Sequence, residues 1–248
     1  MMKKLMLMVT LLFLLTGCIF RENTIEFKQL SDSFEQYQLS DIVDDSRFEL
    51  LLDTITYQAT VSSLKLEIRV YTSLGILIET RFVSGFIFAE NQDDYYALTD
   101  LTSTEVESPF ELWIQVTDYK NETYRGYLVT RSEDLGLSAI RFAKDPLKAL
   151  KVPTFSDTMP YIGEPVVLIG YVNRTLNGVR MGLVSNYEAL PNGNQIMNTS
   201  IPSDSFASGS LILNIHAEII GIQFGFTSGF SQAYDVNQIQ LMIDDIII

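Results

Sequence analysis

The chain of 248 residues has a single histidine and a single cysteine. One cysteine cannot form a disulfide within the chain, which rules out an intramolecular disulfide framework. A zinc site normally takes three or four ligands, mostly histidine and cysteine, so the usual ligand set is missing. The sequence also lacks a glycine-rich phosphate-binding loop and a dinucleotide-binding fingerprint. We therefore expect neither a bound metal nor a cofactor.

Basic residues are scarce as well. Seventeen lysines and arginines stand against 31 aspartates and glutamates, which gives a formal net charge of -14. Nucleic-acid binding depends on basic side chains that neutralise phosphates, so this balance argues against a nucleic-acid partner. No internal repeat of about 20 to 50 residues is visible, which argues against a solenoid or a propeller. The hydrophobic fraction of 47% is that of a globular protein.

The N-terminus resembles an export signal. Met1-Met2-Lys3-Lys4 is a short positive region, and the apolar run from Leu5 to Leu15 is too short for a comfortable membrane span. The segment Leu15-Thr16-Gly17-Cys18 resembles the bacterial lipobox, in which the signal is removed before a cysteine that then carries lipid. The resemblance implies a signal peptide over 1–17, lipidation of Cys18 and attachment to the outer face of a bacterial cell membrane. The alternative is a signal anchor with an incidental cysteine.

The remainder of the chain divides by its pattern. Residues 18–57 are polar and acidic, and we interpret them as a tether that includes, at most, a short helix around 30–53. From residue 58 to 248, short β-type runs alternate with turn signals, which predicts a folded all-β domain. The domain has two halves of similar size that meet near 145–160, which suggests two β-subdomains.

Individual hairpins can be predicted from turn residues. "ELWIQVTDYKNETYRGYLVTR" is expected to turn at Lys120–Asn121, and "NGVRMGLVSNYEAL" carries an Asn177–Gly178 turn signal. "SLILNIHAEIIGIQFGF" also has the pattern of a hairpin. In "VNQIQLMIDDIII", Val236, Ile239, Ile243 and Ile246 have helical spacing, so we expect a C-terminal helix.

The order of these segments over residues 59–248 resembles a trypsin-like serine protease domain, closest to bacterial HtrA-type proteases without a PDZ domain. The resemblance implies two six-stranded antiparallel β-barrels followed by a C-terminal helix. It depends on several segments taken in order: "VSGFI" from residue 83, "YALT" from 96, "SEDLGLSAIRF" from 132, "IGEPVVLIG" from 162, "GVRMGLVSN" from 178 and "SFASGSLILNIHAEIIGIQFG" from 205.

The resemblance assigns catalytic positions and exposes a departure from the family. It places the nucleophile at Ser208 and the catalytic aspartate at Asp134, while the position of the catalytic histidine falls on Thr102. Threonine cannot accept the serine proton, and an unassisted hydroxyl is a poor nucleophile at neutral pH. The only histidine, His216, lies in the hairpin after the serine and is expected to be exposed to solvent. An alternative for Asp134 and Ser208 is that both are ordinary turn residues.

The oxyanion hole departs from the family too. The resemblance assigns its two N–H donors to Phe206 and Ser208, and the family has glycine where this chain has Phe206 and Ser210. A bulky residue disfavours positive φ, so the peptide at Phe206 is expected to be disturbed.

These departures favour a catalytically inactive domain that binds an extended peptide or protein by adding a strand to a sheet edge, with the membrane contacted through the lipid anchor. One alternative is an active serine endopeptidase that uses Ser208 with an unconventional base, such as a water or a group from another chain. Another alternative is a structural or adhesive surface protein with a closed cleft. The sequence leaves the ligand and the oligomeric state open.

Overall fold

The computed structural model describes residues 53, 55–57, 59–147, 150–190, 193 and 195–245. They belong to one compact unit. The predicted signal peptide, Cys18 and nearly all of the predicted tether lie outside the described residues. Within the described part of the chain, no helix has the length and apolar character needed to cross a membrane.

The first half of the domain is a closed antiparallel barrel with the strand order β1-β2-β3-β6-β5-β4. The alternation of apolar and polar residues along β1 suits a strand with one buried face. Leu64, Leu66 and Ile68 are buried inside the barrel, and the residues between them are partly exposed. A short helix, α1 (Leu101–Thr104), follows β3. The six strands are β1 (Ser63–Tyr71), β2 (Leu77–Glu90), β3 (Asp94–Asp100), β4 (Glu111–Thr117), β5 (Thr123–Ser132) and β6 (Leu137–Ala143).

The second half is another closed antiparallel barrel, with the order β10-β11-β12-β9-β8-β7. A 3₁₀ turn, Ser205–Ala207, precedes β10, and the helix α2 (Val236–Asp245) ends the described chain. The predicted fold class, two six-stranded barrels with a C-terminal helix, is confirmed. The strands are β7 (Pro165–Val172), β8 (Thr175–Ala189), β9 (Gln195–Pro202), β10 (Leu211–Leu213), β11 (Ile219–Thr227) and β12 (Phe230–Asp235).

The two barrels share a hydrophobic core. One cluster of buried side chains joins Phe86 and Leu98 of the first barrel to Ile169 of the second and to Ile239 of α2. Ile55, in the stretch that the sequence pattern assigned to the tether, belongs to this cluster and is only 1% exposed. Because burial of each such side chain stabilises the fold by about 1.5–3 kcal/mol, the shared core fixes one barrel against the other.

One predicted turn lies elsewhere. The Lys120–Asn121 turn is confirmed between β4 and β5, but the expected turn at Asn177–Gly178 is wrong because both residues lie within β8. The chain turns at Asn173–Arg174, two consecutive residues with positive φ of 54° and 62°. A two-residue turn in which both residues have positive φ has a backbone twist that matches the right-handed twist of the flanking strands. Gly178 serves close packing, since a Cβ there would lie 2.9 Å from the Cβ of Val172.

Candidate active site

A cleft of about 460 Å³ lies beside Ser208, and Thr102 also lines it, whereas Asp134 is not among its lining residues. Strands β2 and β11, the helix α1 and the 3₁₀ turn supply its walls, so both barrels contribute to it. Its lining residues are Glu79, Thr80, Arg81, Phe82, Val83, Thr102, Ser103, Asp204, Ser205, Phe206, Ser208, Gln223, Phe224, Gly225 and Phe226.

The loop that carries Ser208 is held by backbone hydrogen bonds to both barrels. Ser84 N–H on β2 donates to the carbonyl oxygen of Ser208 at 2.7 Å, and Gly209 N–H donates to the carbonyl oxygen of Gln223 at 2.7 Å. Gly209 has a φ of 83°, and a Cβ at this position would lie 2.1 Å from the carbonyl oxygen of Ser84. The Ser-Gly step therefore requires glycine for its conformation and for space.

Ser84 is a buried hydroxyl that connects the barrels behind the loop. Its Oγ accepts from Tyr171 N–H at 2.8 Å and from Ser210 Oγ at 2.8 Å, and lies 3.1 Å from the carbonyl oxygen of Phe206. Ser210 fits because Gly170 lies opposite: a Cβ at Gly170 would be 2.0 Å from Ser210 Oγ. Ser210, which the resemblance aligns with a glycine, thus takes part in a hydrogen-bond network between the barrels.

The hydroxyl of Ser208 donates to a carboxylate that the sequence analysis did not single out. Ser208 Oγ lies 2.6 Å from Oδ2 of Asp100 and 3.1 Å from the carbonyl oxygen of Phe224. Asp100 is the last residue of β3 and is 1% exposed. This contact joins residues that are 108 positions apart in the chain and belong to different barrels.

Asp100 accepts hydrogen bonds from three other donors as well. The hydroxyls of Thr102 and Ser103 donate to its two carboxylate oxygens, and Ser103 N–H donates to Oδ1 at 3.2 Å. Asp100 is therefore the N-cap of α1, a role for which aspartate is preferred. The local signal in the sequence was an aspartate three residues before Ser103. That signal indicates a cap, but it does not indicate the contact with Ser208.

Two of the predicted catalytic positions converge on this carboxylate. Thr102, which the resemblance aligns with the catalytic histidine, lies on α1 and lines the cleft, and its hydroxyl and that of Ser208 both donate to Asp100. Asp134 is exposed in the turn between β5 and β6. The same turn contacts α1, because Leu101 N–H donates to the carbonyl oxygen of Gly136 at 2.8 Å.

His216 lies in the turn between β10 and β11 and is exposed, as predicted. Its backbone N–H donates to Oδ1 of Asn214 at 2.9 Å, an ordinary turn contact. Within the described residues, no group of three or more histidine, cysteine, aspartate or glutamate side chains is arranged to hold a metal ion.

One of the two predicted oxyanion donors is already hydrogen-bonded within the loop. Phe206 N–H donates to Oδ1 of Asp204 at 2.9 Å, which caps the 3₁₀ turn. Arg180 on β8 holds this carboxylate with an N–O distance of 2.9 Å and also donates to the carbonyl oxygen of Pro202 at 2.6 Å. An oxyanion hole needs N–H donors directed at the substrate oxygen. In this structure the N–H of Phe206 is directed at Asp204.

Arg81 fixes the helix that carries Thr102. Its guanidinium donates to the carbonyl oxygens of Thr102, Ser103 and Glu105 at 3.2, 3.3 and 2.8 Å, and so satisfies the C-terminal end of α1. Arg81 also forms an ion pair with Glu79 at 2.8 Å. The hydrogen bond from Arg81 lowers the pKa of the Glu79 carboxyl, and the same contact raises the pKa of Arg81.

Tyr234 is a partly buried phenol near the same carboxylate. Burial raises its pKa, and the negative charge of Asp100 raises it further. Tyr234 therefore remains neutral at physiological pH. Its ring stacks on Phe224 at 4.0 Å between centroids, which supports the strand whose carbonyl oxygen contacts Ser208.

The arrangement has a direct chemical consequence. A general base must accept the hydroxyl proton of the nucleophile, and imidazole suits that role at neutral pH because its pKa is close to the operating pH. If Asp100 accepted the Ser208 proton, the hydrogen bonds from Thr102 and Ser103 would lose their charged acceptor, and hydrogen bonds to a neutral carboxyl group are weaker than those to a carboxylate. These hydrogen bonds therefore oppose proton transfer from Ser208.

Part of the chain matches a known protein family. Residues 83–222 match the family model of the trypsin-like peptidase domain. The matched segment begins in β2, ends in β11, contains Thr102, Asp134 and Ser208, and covers more than half of the chain. None of the curated proteins compared with the chain matches it.

Proposed function

The chain belongs to the trypsin-like peptidase domain family, and from this premise we propose that it is a surface-anchored module that binds extended polypeptide without hydrolysing it. Within the family, the likeness to the bacterial HtrA type without a PDZ domain is part of the same proposal. Family membership supports a peptide-binding cleft, whereas the residues of the cleft determine whether a bound peptide is cleaved.

The observation that carries the proposal is the hydrogen bond from Ser208 to Asp100, with threonine at the position of the base. Removing the histidine of a serine protease triad costs about 10⁶-fold in kcat in subtilisin. Losing one oxyanion donor costs about a further 10²–10³-fold, and Phe206 N–H is directed at Asp204. Without the base and without this oxyanion donor, we expect very little hydrolysis of a bound peptide.

Peptide binding itself depends on a different part of the cleft. On the side of β11 that faces β10, hydrogen bonding along the strand ends at Gln223, which bonds to Ser210 and Gly209. Beyond it, Gly225–Thr227 pair with β12 on one side, and within the described chain no strand pairs with the other side. An uncovered strand edge offers backbone donors and acceptors to an extended peptide. This edge needs neither a base nor an oxyanion hole.

A second candidate function is an endopeptidase in which Asp100 itself is the base. The distance of 2.6 Å between Ser208 Oγ and Asp100 Oδ2 is the observation that favours it. The hydrogen bonds from Thr102 and Ser103 count against it, since they hold both carboxylate oxygens as acceptors.

Covalent labelling separates the two candidates. A fluorophosphonate probe reacts with serine hydroxyls that a catalytic site has activated. We expect no adduct on the wild-type protein beyond the level seen with Ser208→Ala. A stoichiometric adduct that is lost in Ser208→Ala would establish the endopeptidase instead.

Surface anchoring belongs to the same proposal. The lipobox-like segment ending at Cys18 supports removal of residues 1–17 and lipidation of the new N-terminal cysteine. Metabolic labelling of expressing bacteria with a fatty-acid analogue should label the wild-type protein and should not label Cys18→Ser. Equal labelling of both proteins, or labelling of neither, would contradict a lipid anchor at Cys18.

A further inference from the structure

Four phenylalanine rings surround the cleft next to Ser208. Phe82 lies on β2, Phe206 in the 3₁₀ turn, and Phe224 and Phe226 on β11. All four are partly exposed, and 48% of Phe226 remains in contact with solvent. Covering apolar rings beside an uncovered strand edge removes them from water, which makes binding of a ligand there more favourable.

The charged residues of the cleft are already paired. Glu79, Arg81 and Asp204 are the only charged residues among those that line it in the described structure. Glu79 and Arg81 pair with each other, and Asp204 pairs with Arg180. A charged ligand side chain would lose hydration here without gaining an unpaired opposite charge from the lining residues, and the cations Lys65 and Arg174 already lie over the rings of Phe82 and Phe206. The cleft therefore favours uncharged side chains.

The apolar surface continues along β2, beyond the cleft. In the hairpin that joins β1 to β2, the exposed fractions are 84% for Leu74, 60% for Ile76, 50% for Leu77 and 53% for Ile78. The segment from residue 72 to 78 contains no charged residue. Six positions separate Ile76 from Phe82, which corresponds to about 20 Å of extended strand.

We infer that the cleft binds an extended segment of an apolar polypeptide, with aromatic or branched aliphatic side chains at alternate positions. Part of the segment pairs with the free edge of β11 beside Phe226, and the remainder follows β2 to Ile78, which lies four positions before Phe82 on the same strand. Alternate side chains of an extended peptide point to the same side, so every second one meets this surface. The inference rests on the proposed function, since it specifies the ligand of the same cleft.

Binding of two short peptides to the full-length protein tests the inference. One peptide alternates phenylalanine and leucine with serine, and the other carries lysine and glutamate in place of the apolar residues. By fluorescence anisotropy, the apolar peptide should bind and the charged peptide should not. The double variant Phe226→Ser/Ile78→Ser, which changes two half-exposed side chains, should weaken binding by about tenfold or more. Leu241→Ser on α2, also half-exposed but outside the cleft lining, should not weaken it.

The outcomes distinguish this inference from the proposed function. Equal or tighter binding of the charged peptide would overturn the apolar preference and leave peptide binding intact. Unchanged affinity of the double variant would overturn the proposed location of the ligand. If neither peptide bound, the proposed function would fail together with the inference.

Discussion

Replacement of Gly209 by alanine should destabilise the protein by about 4 kcal/mol or more, or prevent it from folding. A Cβ at this position would lie 2.1 Å from the carbonyl oxygen of Ser84 and 2.5 Å from Oγ1 of Thr99, both on the first barrel. The loop with Ser208 would have to move away from β2, and the hydrogen bond from Ser84 N–H to Ser208 would break. Urea-induced unfolding, followed by circular dichroism, measures the loss.

Gly75 provides a matched control for this variant. Its φ of 76° is close to the 83° of Gly209, but a Cβ there would have no heavy atom within 4 Å. Gly75→Ala should therefore cost only the backbone strain of a left-handed residue, about 1–2 kcal/mol. Equal losses in the two variants would show that the space around Gly209 does not limit the loop.

Asp100→Ala is expected to lower the free energy of unfolding by about 2–4 kcal/mol. The buried carboxylate accepts from Thr102, Ser103 and Ser208, and its removal leaves these donors without their acceptor. The helix α1 also loses its N-cap, which alone is worth about 1 kcal/mol. The measurement is again equilibrium unfolding in urea.

Asp94 on the same strand is the control for Asp100. Its carboxylate forms an ion pair with Arg141 at 3.3 Å, and about half of the Arg141 side chain is exposed. Ion pairs of this kind contribute about 1 kcal/mol or less, so Asp94→Ala should have a small effect. If Asp94→Ala were as costly as Asp100→Ala, the hydrogen-bond cluster around Asp100 would not be the structural centre of the site.

The periodicity of the sequence was sufficient to predict the strands, the hairpin at Lys120–Asn121 and the C-terminal helix, because those features depend on nearby residues. The turn at Asn173–Arg174 was not predicted. Each pair contains an asparagine, which tolerates positive φ, and the choice depends on how β7 pairs with β8. Local turn residues could not decide between them.

The candidate site could be predicted from the sequence only in part. The order of motifs placed Ser208 and Thr102 at one cleft, and the structure brings both hydroxyls to one carboxylate. That this carboxylate is Asp100 depends on a contact between the two barrels, which no local pattern encodes. Similarly, Phe206 suggested a disturbed oxyanion donor, but the disturbance depends on Asp204 and on its ion pair with Arg180 from another strand.

The central claim is that Ser208 occupies the nucleophile's place without an effective base. Its most direct test is to expose the wild-type protein to a fluorophosphonate for a prolonged time at a series of pH values and to measure the intact mass. We expect the unmodified mass at every pH, because neither Thr102 nor the hydrogen-bonded Asp100 activates the hydroxyl. An adduct on Ser208 that forms stoichiometrically in wild type, and that disappears in Ser208→Ala, would contradict the account.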